Sequence, residues 1–269
     1  MEEKELNITN CINNYVENVK KSLKVRWNKW DKDLLENHTY EVIGGILARQ
    51  CSLAIQLSTN LRIWNEEIAP IVLRTMADNH INLAWILVKP KEYSEKFIIH
   101  GLGQLKLDLE HRKNDLKERK NDMNESTIKE MEKIIEGEEE LINSQKYSFL
   151  IDVNLGSWSG LNTREMAEEA GIIDFYNYVY QPFSNCTHST WAHISKYNVT
   201  VSSNPLHKFL RHPVIIDFES HISYLNLTGK YLDKSIREFD RVFKLNIDEV
   251  SAFDILLEEL NELSSRKNN

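Results

Sequence analysis

Glycine and proline are both scarce, nine and five in 269 residues. Strand-rich folds use both at their many turns, so the shortage argues against such an architecture and favours long helices. Cysteine is rarer still. Cys11, Cys51 and Cys186 are odd in number and far apart, with neither the pairing of a disulfide framework nor the CxxC spacing of a zinc site. Three largely buried thiols in a reducing cytosol are therefore expected, and no metal or other cofactor is. No run approaches the ~18 uninterrupted apolar residues of a spanning helix. The nearest stretch, Ile81 to Val88, is too short, so no membrane partner is expected. The first residues, Met1 to Glu5, are polar and acidic, unlike a signal peptide. Positive charge is also in deficit. A formal net charge of −8 excludes a nucleic-acid footprint spread over the whole surface and leaves room only for a local basic groove.

Apolar residues at 41% and charged residues at 28% make an ordinary globular composition. Their spacing is helical almost throughout. Ile12, Val16, Val19, Leu23 and Trp27 form one stripe, and Ile43, Leu47, Cys51 and Ala54 form another. Gly44-Gly45 weakens the second helix or lets a neighbour approach closely. A helix from about Glu67 to Val88 is apolar on nearly every side, which marks it as central. Residues 104–146 differ: Leu105, Leu109 and Leu116 make one narrow stripe, and Ile128, Met131, Ile135 and Ile142 make another. The polar turn between them predicts a projecting antiparallel helical hairpin. It is either a solvated helix pair or an arm for a homodimer or protein partner. Residues 148–163 lack a helical period and predict a loop anchored by Trp158. A short helix follows, capped by Asn162 or Thr163 and ended by Gly171. A longer helix from about Ile172 to His193 contains Pro182 and is expected to be kinked. Two amphipathic helices, one marked by Phe218 to Phe243 and one by Val250 to Leu260, close the chain. The expected fold is a single all-α domain over 1–269, a multi-helix bundle carrying the 104–146 hairpin.

Two polar constellations interrupt these apolar helices. Tyr176, Tyr180, Ser184 and His188 recur every four residues, so they share one slowly rotating helix face, with Trp191 close to it. A hydroxyl and an imidazole one turn apart can hold a phosphate or pass a proton, with His188 as general base or acid and Ser184 as nucleophile or donor. No nucleophile elbow surrounds Ser184, which excludes a hydrolase triad of that kind. On the central helix, Arg74 and Asp78 are also one turn apart. Arg74 suits a phosphate or carboxylate, and Asp78 and Tyr180 would help to bind the substrate. Both groups have a plainer reading, as a buried polar ladder and a structural ion pair that fix helix packing. His80 lies six residues after Arg74, about 120° away in azimuth on a regular helix. Trp85, Tyr180 and Trp191 would alternatively line a small-molecule sensor pocket. His188 and His193 are five apart with no carboxylate motif, a poor metal spacing.

The run Trp158-Ser-Gly-Leu-Asn-Thr-Arg-Glu-Met-Ala-Glu-Glu-Ala-Gly-Ile, followed by Tyr176-x3-Tyr180-x3-Ser184-x3-His188, resembles the signature of an uncharacterised family of helical bacterial proteins. That family also carries an upstream Arg-x3-acid pair, matched here by Arg74 and Asp78. Asp78 departs from its more usual Glu, and Ser189 fits the small residue that often follows the His. The resemblance spans about residues 40 to 240 and implies membership and fold, with no established activity. A more distant similarity is to HEPN proteins, helical bundles of bacterial toxin–antitoxin and abortive-infection systems. Many of these are metal-independent ribonucleases with an Arg-x4-6-His motif, which Arg74 and His80 match in spacing. That resemblance implies a cytoplasmic effector acting on RNA or a nucleotide. In it Arg74 steadies the phosphate and a histidine, His80 or His188, moves the proton of a ribose hydroxyl. A non-catalytic binding or assembly module is the alternative.

Overall fold

The computed structural model describes residues 2–145 and 156–265. Residue 146 of the expected hairpin and residues 148–155 of the expected loop lie outside that range. The chain is an all-α multi-helix bundle. Its first helices are α1 (Glu2–Lys29), α2 (Asn37–Thr59), α3 (Ala69–Ile86), α4 (Pro90–Arg119) and α5 (Glu125–Asn143). Then come α6 (Thr163–Glu169), α7 (Ile173–Phe175), a π-helical turn over Tyr176–Tyr180, α8 (Gln181–Thr187) and α9 (Trp191–Tyr197). A two-stranded antiparallel ribbon, β1 (Val199–Val201) and β2 (Arg211–Pro213), precedes α10 (Ser223–Phe243) and α11 (Ala252–Ser265). Thr200 faces His212 across it.

The core sits around α3, which packs on α2, α4, α6, α8 and α10. Pro70 stands in its first turn, where the missing N–H costs nothing. Leu73, Met76, Ala77, Ile81, Leu83 and Ile86 are completely buried. Each such large side chain contributes about 1.5–3 kcal/mol by leaving water. Several polar groups enter this core in matched sets. Gln50 donates to Met76 O (3.1 Å) and Ser235 Oγ (3.1 Å), and Asn79 donates to Ile46 O and Gln50 Oε1 (both 2.9 Å). Arg26 of α1 forks onto Asp240 of α10, with Nε–Oδ1 at 2.8 Å and Nη2–Oδ2 at 2.7 Å. Close helix approach uses glycine: a methyl on Gly44 would meet the Trp27 ring at 2.7 Å, and one on Gly229 would meet Phe253 at 2.6 Å.

Two expected elements differ in detail. The hairpin is the outer part of a longer α4, whose helix begins at Pro90 because nothing between there and residue 104 stops it. Its seam on α4 runs through Leu102, Leu109 and Leu116, while Leu105 is 46% exposed. The seven-residue spacing keeps one stripe against α5, and Leu105 falls off it. Asn124 caps α5 by accepting from Thr127 N at 2.8 Å. The helix expected from about Ile172 to His193 is broken into pieces. Pro182 has no N–H to give, and Gln181 N instead reaches back five residues to Tyr176 O. At its far end the helix stops at Thr187, and Ser189 turns left-handed (φ 46°) before α9 starts. The Ser189-Thr190 pair favours that turn, with Thr190 Oγ1 donating to Asn185 Oδ1 at 3.0 Å.

Candidate functional site

α3 and α8 pack side by side, and Arg74 is the residue on which they meet. Its guanidinium is buried, with 6% of the residue exposed. Nε donates to Ser184 Oγ at 2.9 Å, Nη1 pairs with Asp78, and the Tyr180 ring lies over Cζ at 3.2 Å from its centroid. Nη2 has no hydrogen-bond partner among the described residues. A buried guanidinium needs this company, because an unpaired charge in a low-dielectric site costs several kcal/mol. Ser184 Oγ in turn donates to Tyr180 O at 3.0 Å, a bond across one helical turn. Tyr180 stacks on Tyr176 at 4.8 Å, and its hydroxyl donates to Thr163 Oγ1 at 3.3 Å. The π turn sets this geometry: one extra residue in the turn carries the Tyr176/Tyr180 stack over the guanidinium while Ser184 stays beneath it.

Asp78 is the open side of the cluster, with 43% of its side chain exposed. Burial raises its carboxyl above the ordinary range, against the opposing pull of Arg74's charge and hydrogen bond, the Tyr180 hydroxyl and the charge of His188. Burial also raises the Tyr180 phenol. His188 caps the C-terminus of α8 and is exposed. Its backbone N–H still donates to Ser184 O at 3.0 Å across the last turn, and its charge acts on Asp78. Trp191, beyond the Ser189 turn, is 65% exposed.

The remaining sequence candidates have other surroundings. His80 faces α10, where Nδ1 lies 3.0 Å from Ser235 Oγ and the ring meets Phe175 edge-on at 4.6 Å. Burial lowers its pKa to about 4. The 120° offset from Arg74 thus turns His80 into the core. Trp85 stacks on Tyr93 at 3.8 Å, and their Nε1 and hydroxyl donate to the two oxygens of Glu169 at 2.9 and 2.8 Å. Those two hydrogen bonds hold the Glu169 carboxyl below its usual range. Trp158 packs edge-on against Trp85 and Phe97. Trp85, Tyr180 and Trp191 therefore occupy three different environments.

Sequence reasoning missed Thr163 and the Glu169 clasp, and also a second polar cluster. In that cluster His193 Nε2 lies 3.3 Å from Glu67 Oε2, Asn198 donates to Glu67 Oε1 at 3.2 Å, and Cys186 donates to Glu67 O at 3.2 Å. These partners are more than a hundred residues apart, so no local spacing announces them. Among the described residues no three His, Cys, Asp or Glu side chains converge as a metal ion requires. No described helix is long and apolar enough to cross a membrane.

The model of a family of unknown function (DUF5677) matches residues 40–205. The match covers more than half of the chain, and the chain belongs to that family. It takes in α2 through α9, including Arg74, Asp78, Tyr180, Ser184 and His188. Neither a curated protein nor a solved structure matches the chain.

Proposed function

We propose that the Arg74 cluster is a phosphate-directed site and that the chain acts on RNA as an effector of the toxin or abortive-infection type. One observation carries the reading. Arg74 is buried and aimed by Ser184 and Tyr180, but its charge is balanced by a single half-exposed carboxylate whose own ionisation burial disfavours. A guanidinium held rigid with a displaceable partner is a good receptor for a phosphodiester, which offers two oxygens to the same fork. In this reading Arg74 and the Ser184 hydroxyl steady the phosphate. His188 takes the proton of a ribose 2′-hydroxyl, whose oxygen attacks phosphorus as the bond to the 5′-oxygen breaks. Solvent protonates that leaving oxygen. The HEPN resemblance supports RNA as the substrate class and a reaction that needs no metal ion.

The second reading, a non-catalytic assembly module, draws on the same geometry. Nε, Nη1 and one face of Arg74 are already engaged by the protein, as they would be in a packing node. Purified protein incubated with cellular RNA separates the two. RNA decay is expected with the parent and is expected to be lost with Arg74→Lys and His188→Ala. Arg74→Lys keeps the charge but loses the fork at a buried position, so a lower Tm is expected there, whereas His188 is exposed and His188→Ala is expected to keep the parent Tm within a few degrees. Equal RNA decay in parent and variants removes the RNA-directed reading. A large loss of Tm in His188→Ala supports the packing node.

A further inference from the structure

We infer that the surface running from His188 across α9 to the β1–β2 ribbon is a binding strip for single-stranded RNA. The choice of RNA over other polyanions rests on the reading of the Arg74 site above. The first observation is one of charge. The chain has 41 Asp and Glu residues, yet none occurs between Asp174 and Asp217. The same interval holds Lys196, Lys208 and Arg211, none of which has an ion-pair partner among the described residues. The segment itself thus carries no carboxylate and leaves its cations without an ion pair, while Glu67 is bound by His193 and Asn198 and Glu66 acts on Lys196 from outside it.

The second observation is exposure. Tyr178 is 77% exposed, Trp191 65% and Phe209 89%. Large aromatic faces left in water are platforms for unstacked bases, which a duplex hides and a single strand presents.

Geometry joins the two. Arg211 Nη1 donates to Ser195 O at 3.4 Å, which ties the ribbon to α9. Lys208 Nζ lies 5.2 Å from the Phe209 ring centroid, placing a phosphate-binding charge beside a stacking face. His188 precedes Trp191 by the Ser189 turn alone. Along the chain the groups follow as Ser184, His188, Trp191, Lys208 with Phe209, and Arg211, with Arg211 tied back to α9. A strand stacked on Trp191 and Phe209 would lead its backbone toward His188. Leu206 and Ile215 are also strongly exposed, at 88% and 96%, which raises an anionic lipid surface as the competing partner. Tyr178 on the π turn, Trp191 on α9 and Phe209 between β1 and β2 lie on three separate segments and not on one inserting tip. That favours RNA.

Fluorescence anisotropy with a labelled oligouridine strand, the matched RNA duplex, and vesicles of phosphatidylcholine with phosphatidylserine tests the strip. The parent is expected to bind the single strand in preference to the duplex, with affinity falling steeply as salt rises. Lys208→Glu/Arg211→Glu is expected to weaken that binding at least tenfold, with a small loss of Tm from the Arg211 bond to Ser195 O, and Phe209→Ala several-fold, with unchanged Tm because that side chain is exposed. Unchanged affinity in both variants overturns the strip. So does vesicle binding that the variants abolish in the absence of any RNA binding. Failure here is separable from failure of the proposed function. If RNA decay needs Arg74 and His188 while the strip variants bind like the parent, the site stands and the strip falls. If the strip variants lose binding and the parent leaves RNA intact, the strip stands and the catalytic reading falls.

Discussion

Arg74 and Asp78 form a charge pair in unequal surroundings. The guanidinium is enclosed and always charged, whereas the carboxylate is half in water with its ionisation disfavoured. In the phosphate-directed reading Asp78 competes with an incoming anion for Nη1. Asp78→Asn is therefore expected to tighten binding of inorganic phosphate several-fold by calorimetry. Weakened or unchanged binding would count against a displaceable partner. His80 makes a different prediction. Burial is the main cause of its low pKa, about 4, with Lys234 lowering it further and Glu238 opposing. An unfolded histidine titrates near ~6.5. Between these values the unfolded chain takes up a proton that the folded chain refuses. Stability is thus expected to fall as pH drops from about 6.5 to 4 and to show no further His80 contribution below that, with a slope of up to ~1.4 kcal/mol per pH unit. Urea midpoints of parent and His80→Asn across pH 7 to 4 check the sign: the gap between them should narrow toward acid.

Among the elements, the π turn and the glycine contacts show how local chemistry sets the packing. Pro182 withdraws one donor, the turn widens over Tyr176–Tyr180, and the Tyr180 ring comes to rest on Arg74. Gly229 does comparable work between α10 and α11, where an added methyl would stand 2.6 Å from Phe253 and 3.3 Å from Leu256. Gly229→Ala gains about 1 kcal/mol of helix propensity and incurs an overpacking cost of about 1–3 kcal/mol. The net expectation is a Tm lower by a few degrees, measured by calorimetry, with RNA binding unaffected because the contact is remote from α8 and α9. A higher Tm would show that Phe253 yields its place easily.

For the molecule as a whole, charge is distributed against its own average. The net charge is −8, and the stretch between Asp174 and Asp217 contributes nothing to it on the negative side. A uniform acidic surface would repel RNA at every approach, whereas a cleared segment lets binding depend on a few cations and on stacking. Salt dependence therefore reports the strip and not the global charge. Three phosphate contacts on a single strand correspond to a log–log slope near about −2, and Lys208→Glu/Arg211→Glu should flatten it.

Much of this architecture was legible from the residues in order. Scarce glycine and proline, helical spacing and an all-round apolar α3 determined the helical class and the central helix, because burial selects periodicity and periodicity is local. Asn162 or Thr163 and Gly171 marked the ends of one short helix for the same reason: caps act within four residues. The meeting of Arg74 with Ser184 across 110 positions could be posed as a condition on two helices and not concluded. The inward turn of His80 onto Ser235 and the Glu169 clasp belonged to tertiary structure alone. Each depends on which helix lies opposite, and in a bundle that is decided by the sum of all interfaces, which no single stretch of sequence contains.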